Sequence, residues 1–196
     1  MPHPPLLLAS TSAYRRELLA RLQQPFECIA PEVDETPRDL ESPADRALRL
    51  AIAKAEAVFA VRPDAVVIGS DQVASLGEAP EARILRKPGT PERWRTQLEA
   101  LSGRVVRFDT AVCLRWPGGR QAHTDLTRVH FRALSATDIE HYMAREPALD
   151  CAGGFKCEGL GISLMDRLET ADPTALVGLP LIWLAGALRA TGRPVP

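Results

Sequence analysis

The sequence predicts an α/β protein built on a mixed β-sheet with flanking helices. Three observations point there. Apolar runs of strand length alternate with stretches of helical periodicity. The helices begin at recognisable caps. Two long β-rich stretches, Val105 to Trp116 and Gln121 to Ala133, flank the turn signal Pro117-Gly118-Gly119-Arg120.

The elements follow in order. Leu6 to Ser10 reads as a buried strand. Ser12 caps a helix to about Leu22, with Tyr14, Leu18 and Leu22 on one face. Phe26 to Ala30 is a short strand, followed by the acidic loop Pro31-Glu32-Val33-Asp34-Glu35-Thr36-Pro37. Ser42-Pro43, with Asp45 behind it, opens a helix whose apolar stripe is Leu48, Ile52, Ala55 and Phe59, and Lys54 lies off that stripe. Ala65 to Gly69 is a continuous apolar strand ending in Ser70-Asp71-Gln72. A loop with Gly77, Pro80 and Pro88 leads to a helix from Thr90-Pro91 to about Leu101, closed by Gly103. After the hairpin, Ser135-Ala136-Thr137-Asp138 reads as a capping box for a helix to about Arg145. The glycine-rich segment from Cys151 to Gly161 precedes a strand near Ile162 to Leu164, and a last helix runs from Leu181 to Ala190.

Composition narrows the function classes. A chain of 196 residues fits one large domain or two small lobes around a shared core, here with a break placed after about Asp71. With 45% hydrophobic and 25% charged residues, it is not a disordered chain. A net charge of −1 argues against a partner that is a nucleic-acid polymer, which needs a basic excess. The apolar stretch Leu6 to Leu8 is too short for a signal peptide core. The longest uncharged run, Pro173 to Leu188, falls short of the ~20 residues needed to cross a bilayer, so no membrane association is expected. Cys28, Cys113, Cys151 and Cys157 lack paired spacing and read as reduced thiols in a cytoplasmic protein. The chain holds 21 arginines and three lysines, so Lys54, Lys87 and Lys156 are candidates for positions that need a compact ammonium.

Four segments could carry chemistry. Ser10 to Arg16 places hydroxyls, free helix-terminal amides, Arg15 and Arg16 where an anion would be held; an ordinary solvated helix start is the plainer alternative. Asp71, beyond an apolar strand, can orient and deprotonate a water, hold a metal, or simply cap a turn. Glu32, Asp34 and Glu35 offer hard oxygen ligands, although solvated acidic loops are common. In Gly153-Gly154-Phe155-Lys156-Cys157-Glu158-Gly159-Leu160-Gly161 the glycines allow close backbone approach, and Lys156 and Glu158 share a side if the segment is extended. His3, His123, His130 and His141 make no zinc pattern, no GxSxG elbow occurs, and Cys157 reads as an inert thiol.

Together LLLASTSAYRR, FECIAPEVDETP, Lys54-Ala55, IGSDQV, Lys87-Pro88, Leu101-Ser102-Gly103, CAGGFKCEGLGI and LVGLP resemble the Maf family of nucleotide pyrophosphatases, in order and over nearly the whole chain. The resemblance implies an elongated mixed sheet of the Maf/ITPase-like kind, with two lobes around a central cleft and a homodimer. It implies hydrolysis of a nucleoside triphosphate to monophosphate and diphosphate with a divalent cation, Mg²⁺ or Mn²⁺. The finer match is to the branch preferring 7-methyl-GTP; the branch acting on dTTP and UTP has Thr and Gln where this chain has Gln72 and Glu158. By resemblance Asp71 is the proton acceptor, and Tyr14, Gln72 and Glu158 set substrate choice. A methylated guanine is cationic, which suits an aromatic face and a carboxylate. Ser10, Arg15, Arg16, Lys54, Lys87 and Lys156 are expected at the phosphates, and Glu32 or Asp71 at the metal. Two features depart from the family pattern: Ala13 stands where proline is common, and Leu76 to Arg86 is longer than the usual loop. A non-catalytic nucleotide sensor linked to cell division is the rival outside the enzyme class.

Overall fold

A computed structural model describes residues 3–77 and 82–196. Among these, the strands form one seven-stranded mixed sheet. They are β1 (Leu6–Ala9), β2 (Glu27–Ile29), β3 (Val66–Leu76), β4 (Arg83–Leu85), β5 (Val105–Trp116), β6 (Gly119–Phe131) and β7 (Met165–Glu169). The order is β2-β1-β3-β5-β6-β7, with β4 also on β3. β1 pairs parallel with β2 and β3, and the remaining pairings are antiparallel. The helices are α1 (Ala13–Ala20), α2 (Pro43–Val61), α3 (Pro91–Leu101), α4 (Ala136–Arg145) and α5 (Leu181–Ala190).

Local chemistry sets the helix starts. The hydroxyls of Ser12, Ser42, Thr90 and Ser135 each accept from a backbone N–H three residues on. Ser135 and Asp138 complete a capping box. Strand alternation then sorts the faces. Val66 and Ile68 of β3 pack with α1 and α5, and Ala74 and Leu76 pack with α3 and α4. Val67 and Val73 face α2 on the other side. Gly69 shares that side, and a Cβ there would lie 2.2 Å from the Ala51 carbonyl oxygen and 2.6 Å from the Ala55 nitrogen. Glycine therefore lets α2 lie directly against β3.

Four elements differ from the sequence expectations. β3 does not end before Ser70-Asp71-Gln72 but continues to Leu76, because β5 pairs with it along its whole length from Val67. Asp71, after which the sequence places a break between lobes, thus lies inside a continuous strand. Lys54 lies on the buried face of α2, not off it; that face is Ala47, Leu50, Ala51, Lys54, Ala55 and Val58. Ile162 to Leu164 belongs to a 3-10 turn (Leu160–Leu164), and the strand follows as β7. The loop after Gly77 contains a short strand, β4; Pro80 and the centre of the longer loop lie outside the described residues.

Adding a methyl group at Gly69 should force α2 off the sheet. Gly69→Ala is expected to lower the unfolding free energy by about 1–3 kcal/mol. The readout is the urea midpoint at unchanged slope, and an equal midpoint would show that this contact does not hold α2.

Candidate active site

The sheet has a gap on one edge of β3. β1 ends opposite Gly69, and β4 begins pairing opposite Ala74. Among the described residues, Ser70 to Val73 therefore have β5 on one side and no strand on the other. A cleft of about 940 Å³ opens at this place. Its walls come from the β1–α1 junction, the acidic loop, α2, β3, the segment after β4, and the segments 150–158 and 176–178.

Alternation sends neighbouring residues to opposite faces. Asp71 points toward α2, where its Oδ1 lies 2.6 Å from Lys54 Nζ. The same ammonium lies 2.7 Å from Glu35 Oε1. Lys54 is only 8% exposed, so this cation is committed to the two carboxylates and whatever joins them. Its proximity holds the Glu35 carboxyl below the usual carboxylate range. Arg15 is close enough for Asp71 and Glu35 to raise its pKa, although burial dominates and lowers it. Its Nε–H donates to the Gly178 carbonyl at 2.9 Å. Arg46 lines the cleft beside Glu35 and donates to the Glu35 carbonyl at 3.2 Å. The buried Arg46 Nε has no hydrogen-bond partner among the described residues.

Ser70 and Gln72 face the other side. The Ser70 hydroxyl lies between the carbonyl oxygens of Ala111 and Gly178, at 2.8 and 2.9 Å. The Gln72 amide nitrogen is shared by Thr110 Oγ1 and the carbonyls of Ala175 and Leu176, at 2.9, 3.0 and 3.0 Å. Two carbonyl acceptors fix which end is nitrogen. The loop that supplies these carbonyls is knotted by Asp172, which accepts from Thr174 and from the Ile182 N–H at the start of α5.

A second group gathers around Tyr14. Its hydroxyl lies 3.4 Å from Asp150 Oδ2 and 3.6 Å from Cys151 Sγ. Burial, then Cys151 and Asp150, push the phenol above its ordinary range. Lys156 Nζ lies 5.7 Å from the Tyr14 ring centroid. Glu158 lines the cleft on the same segment. Cys151 is pushed up to about 11 and Cys157 to about 12, chiefly by burial, so both are protonated thiols near neutral pH.

The structure thus brings Asp71, Tyr14, Gln72, Glu158, Ser10, Arg15, Lys54 and Lys87 to one cleft. Arg16 and Glu32 are exposed and do not line it. Lys156 does not line it either; the segment turns at Cys157 to Gly159 instead of extending, which sends Lys156 to Tyr14 and Glu158 to the wall. Glu35, rather than Glu32, is the loop carboxylate at the site. Asp34 is used locally, accepting from the Thr36 N–H. Arg46 and Asp150 were not singled out by the sequence. The one signal for Arg46 is a cation in the first turn of a helix, where the dipole disfavours it unless an anion is near.

The depressed Glu35 pKa has a defined sign. The ion pair adds stability above the ordinary value of 4.5, and that contribution fades as pH falls through the lowered folded value. A carboxyl-carbon NMR titration is expected to place Glu35 below 4.5 and to move it upward in Lys54→Met. An unmoved Glu35 would remove Lys54 as the cause.

The Maf family model, described as Maf-like protein, matches residues 5–191. A Xanthomonas axonopodis pv. citri protein named 7-methyl-GTP pyrophosphatase is 59% identical, covering 98% of this chain and all of the relative. Proteins of the same name from Alkalilimnicola ehrlichii and Burkholderia pseudomallei are 52% and 50% identical, each over 98% of this chain and over 96% and 90% of their own lengths. Over nearly its full length this chain belongs to the Maf family.

Proposed function

We propose that the protein hydrolyses 7-methyl-GTP to 7-methyl-GMP and diphosphate. The observation that carries this is the two-ended chemistry of the cleft. Arg15, Arg46 and Lys54 gather with Asp71 and Glu35, while Tyr14, Asp150 and Glu158 form a second group, with Lys156 beside the Tyr14 ring. A substrate with an anionic triphosphate and a cationic base matches both ends. The full-length relatives named 7-methyl-GTP pyrophosphatase support the same substrate.

In this reading Arg15, Arg46, Lys54 and Lys87 grip the phosphates, with Ser10 and the free amides at the start of α1 beside them. Asp71 accepts the proton of the attacking water. As the water oxygen bonds to phosphorus, the phosphorus–oxygen bond to the departing diphosphate breaks. Glu35 and Asp71 fit a divalent cation, Mg²⁺ or Mn²⁺, because two hard carboxylates converge on one point. No group of three or more metal-ligating side chains occurs among the described residues, so substrate oxygens and water would complete the shell. Such a cation supplies charge neutralisation on the phosphates. At the other end the Tyr14 face and the Glu158 carboxylate favour a delocalised positive charge, worth ~0.5–2 kcal/mol for the ring alone. Gln72 offers its amide oxygen, since its nitrogen is spent on the fold. No described helix is long and apolar enough to cross a membrane. A homodimer, on family resemblance, and a cytoplasmic location, on the unpaired cysteine spacing, complete the proposal.

The test is diphosphate release from 7-methyl-GTP, GTP, dTTP, UTP and CTP with Mg²⁺ or Mn²⁺. Preference for 7-methyl-GTP is expected. Asp71→Asn should cut turnover about 10²–10⁴-fold without unfolding. Glu158→Gln should narrow the preference over GTP by roughly tenfold or more, the worth of a hydrogen bond to a charged group. Preference for dTTP or UTP would keep the reaction and overturn the roles given to Tyr14, Gln72 and Glu158. Tight binding with no turnover would support a sensor instead.

A further inference from the structure

Glu158 stands on a segment that no long element supports. Around it lie only a 3-10 turn at Ala152–Gly154, a turn at Cys157 to Gly159, and the 3-10 turn Leu160–Leu164. The segment is instead held from outside by the C-terminal end of α4. Tyr142, 2% exposed and edge-on to Trp94, accepts the Lys156 N–H through its hydroxyl at 3.0 Å. Glu146, the residue after α4, accepts the Gly161 N–H through Oε2 at 3.0 Å. Gly159 lies flat on the same carboxylate. A Cβ there would be 2.0 Å from Glu146 Oε1 and 2.8 Å from its carboxyl carbon. Glu146 therefore holds the chain on the C-terminal side of Glu158 by one hydrogen bond and packs against Gly159, and Tyr142 holds it on the N-terminal side. Gly161 is constrained as well, because a Cβ would lie 2.4 Å from the Lys156 carbonyl oxygen.

Glu146 does not line the cleft, so it touches the substrate only through what it holds. α4 is itself anchored, by its capping box and by the paired bonds from Arg132 to Asp138 at 3.1 and 3.0 Å. We propose that Glu146 is a positioning residue for substrate choice. By accepting the Gly161 N–H and packing on Gly159, it fixes the Glu158 carboxylate where it meets a cationic base. A charge-assisted bond is directional, and a recognition group left loose by about 1 Å loses most of its selectivity. The proposal rests on the reading of Glu158 as the base-recognising carboxylate. It gives Gly159 a physical reason, contact with Glu146, while Gly161 closes the turn back to Lys156.

The test compares kcat/KM for 7-methyl-GTP and for GTP in wild type, Glu146→Gln, Glu146→Ala, Glu158→Gln and the Glu146→Ala/Glu158→Gln double variant. Glu146→Ala should lower the 7-methyl-GTP to GTP ratio about two- to tenfold, the worth of one hydrogen bond, with GTP turnover kept. Glu146→Gln keeps an acceptor oxygen and should keep most of the ratio. The double variant should be no less selective than Glu158→Gln alone, because the two act through one group. If Glu146→Ala does not fold, Gly159→Ala, whose methyl would displace the Glu146 carboxylate, is read in the same way. Equal losses on both substrates, or selectivity losses that multiply in the double variant, would overturn the proposal. An unchanged ratio in Glu158→Gln would overturn the assignment of Glu158, and the proposal with it; an altered ratio there with none in Glu146→Ala or Gly159→Ala overturns the proposal alone.

Discussion

The cleft depends on a stretch of β3 that, among the described residues, pairs with a strand on one side only. β1 stops opposite Gly69 and β4 starts opposite Ala74, so the edge of β3 from Ser70 to Val73 is open on that side while β5 holds it on the other. Strand alternation does the rest. It aims Asp71 at α2 and Gln72 at the loop carrying Ala175 and Leu176. One strand thus delivers a carboxylate to one wall and a polar amide to the other. Gly69 brings α2 close enough for Lys54 to reach Asp71, because any side chain at 69 would meet the backbone of Ala51 and Ala55.

Two groups of charged side chains meet at the cleft. In one an almost buried ammonium serves two carboxylates, partners that a charge taken out of water requires. Arg15 and Arg46 add cations there. In the other, an aromatic ring carries Asp150 at its hydroxyl and Lys156 near its face. Adjacent residues of α1 serve the two groups, Arg15 the first and Tyr14 the second. The three lysines of this arginine-rich chain all lie at the cleft or against a residue lining it: Lys54 and Lys87 in its wall, Lys156 beside Tyr14.

Much of this was legible in the sequence where the signal is local. Caps at Ser12, Ser42, Thr90 and Ser135 located the helices, since a hydroxyl three residues before a free amide is a short-range event. The motif residues Tyr14, Asp71, Gln72 and Glu158 were singled out by resemblance, and the fold collects them. What was not legible depends on partners distant in sequence. The polar trio Ser70-Asp71-Gln72 looks like a strand end because its satisfying groups, Ala111, Gly178, Lys54, Thr110 and Ala175, lie elsewhere. Lys54 looks like a surface residue for the same reason. Choosing Glu35 over Glu32 needs the loop conformation, in which Asp34 folds back on Thr36 and Arg46 holds the Glu35 carbonyl. The glycines at 159 and 161 read as flexibility, yet they answer to Glu146 and to the Lys156 carbonyl.

On the proposed function, the two groups of side chains at the cleft fix the orientation of a cationic base and its triphosphate. The most direct test is the structure of the protein bound to a 7-methyl-GTP analogue whose bridging oxygens are replaced by methylene groups. The base should lie against Tyr14 with its edge at Glu158, and the phosphates should lie among Arg15, Arg46, Lys54 and Lys87. Phosphates seated against Glu158, or a base seated between Lys54 and Asp71, would contradict the account.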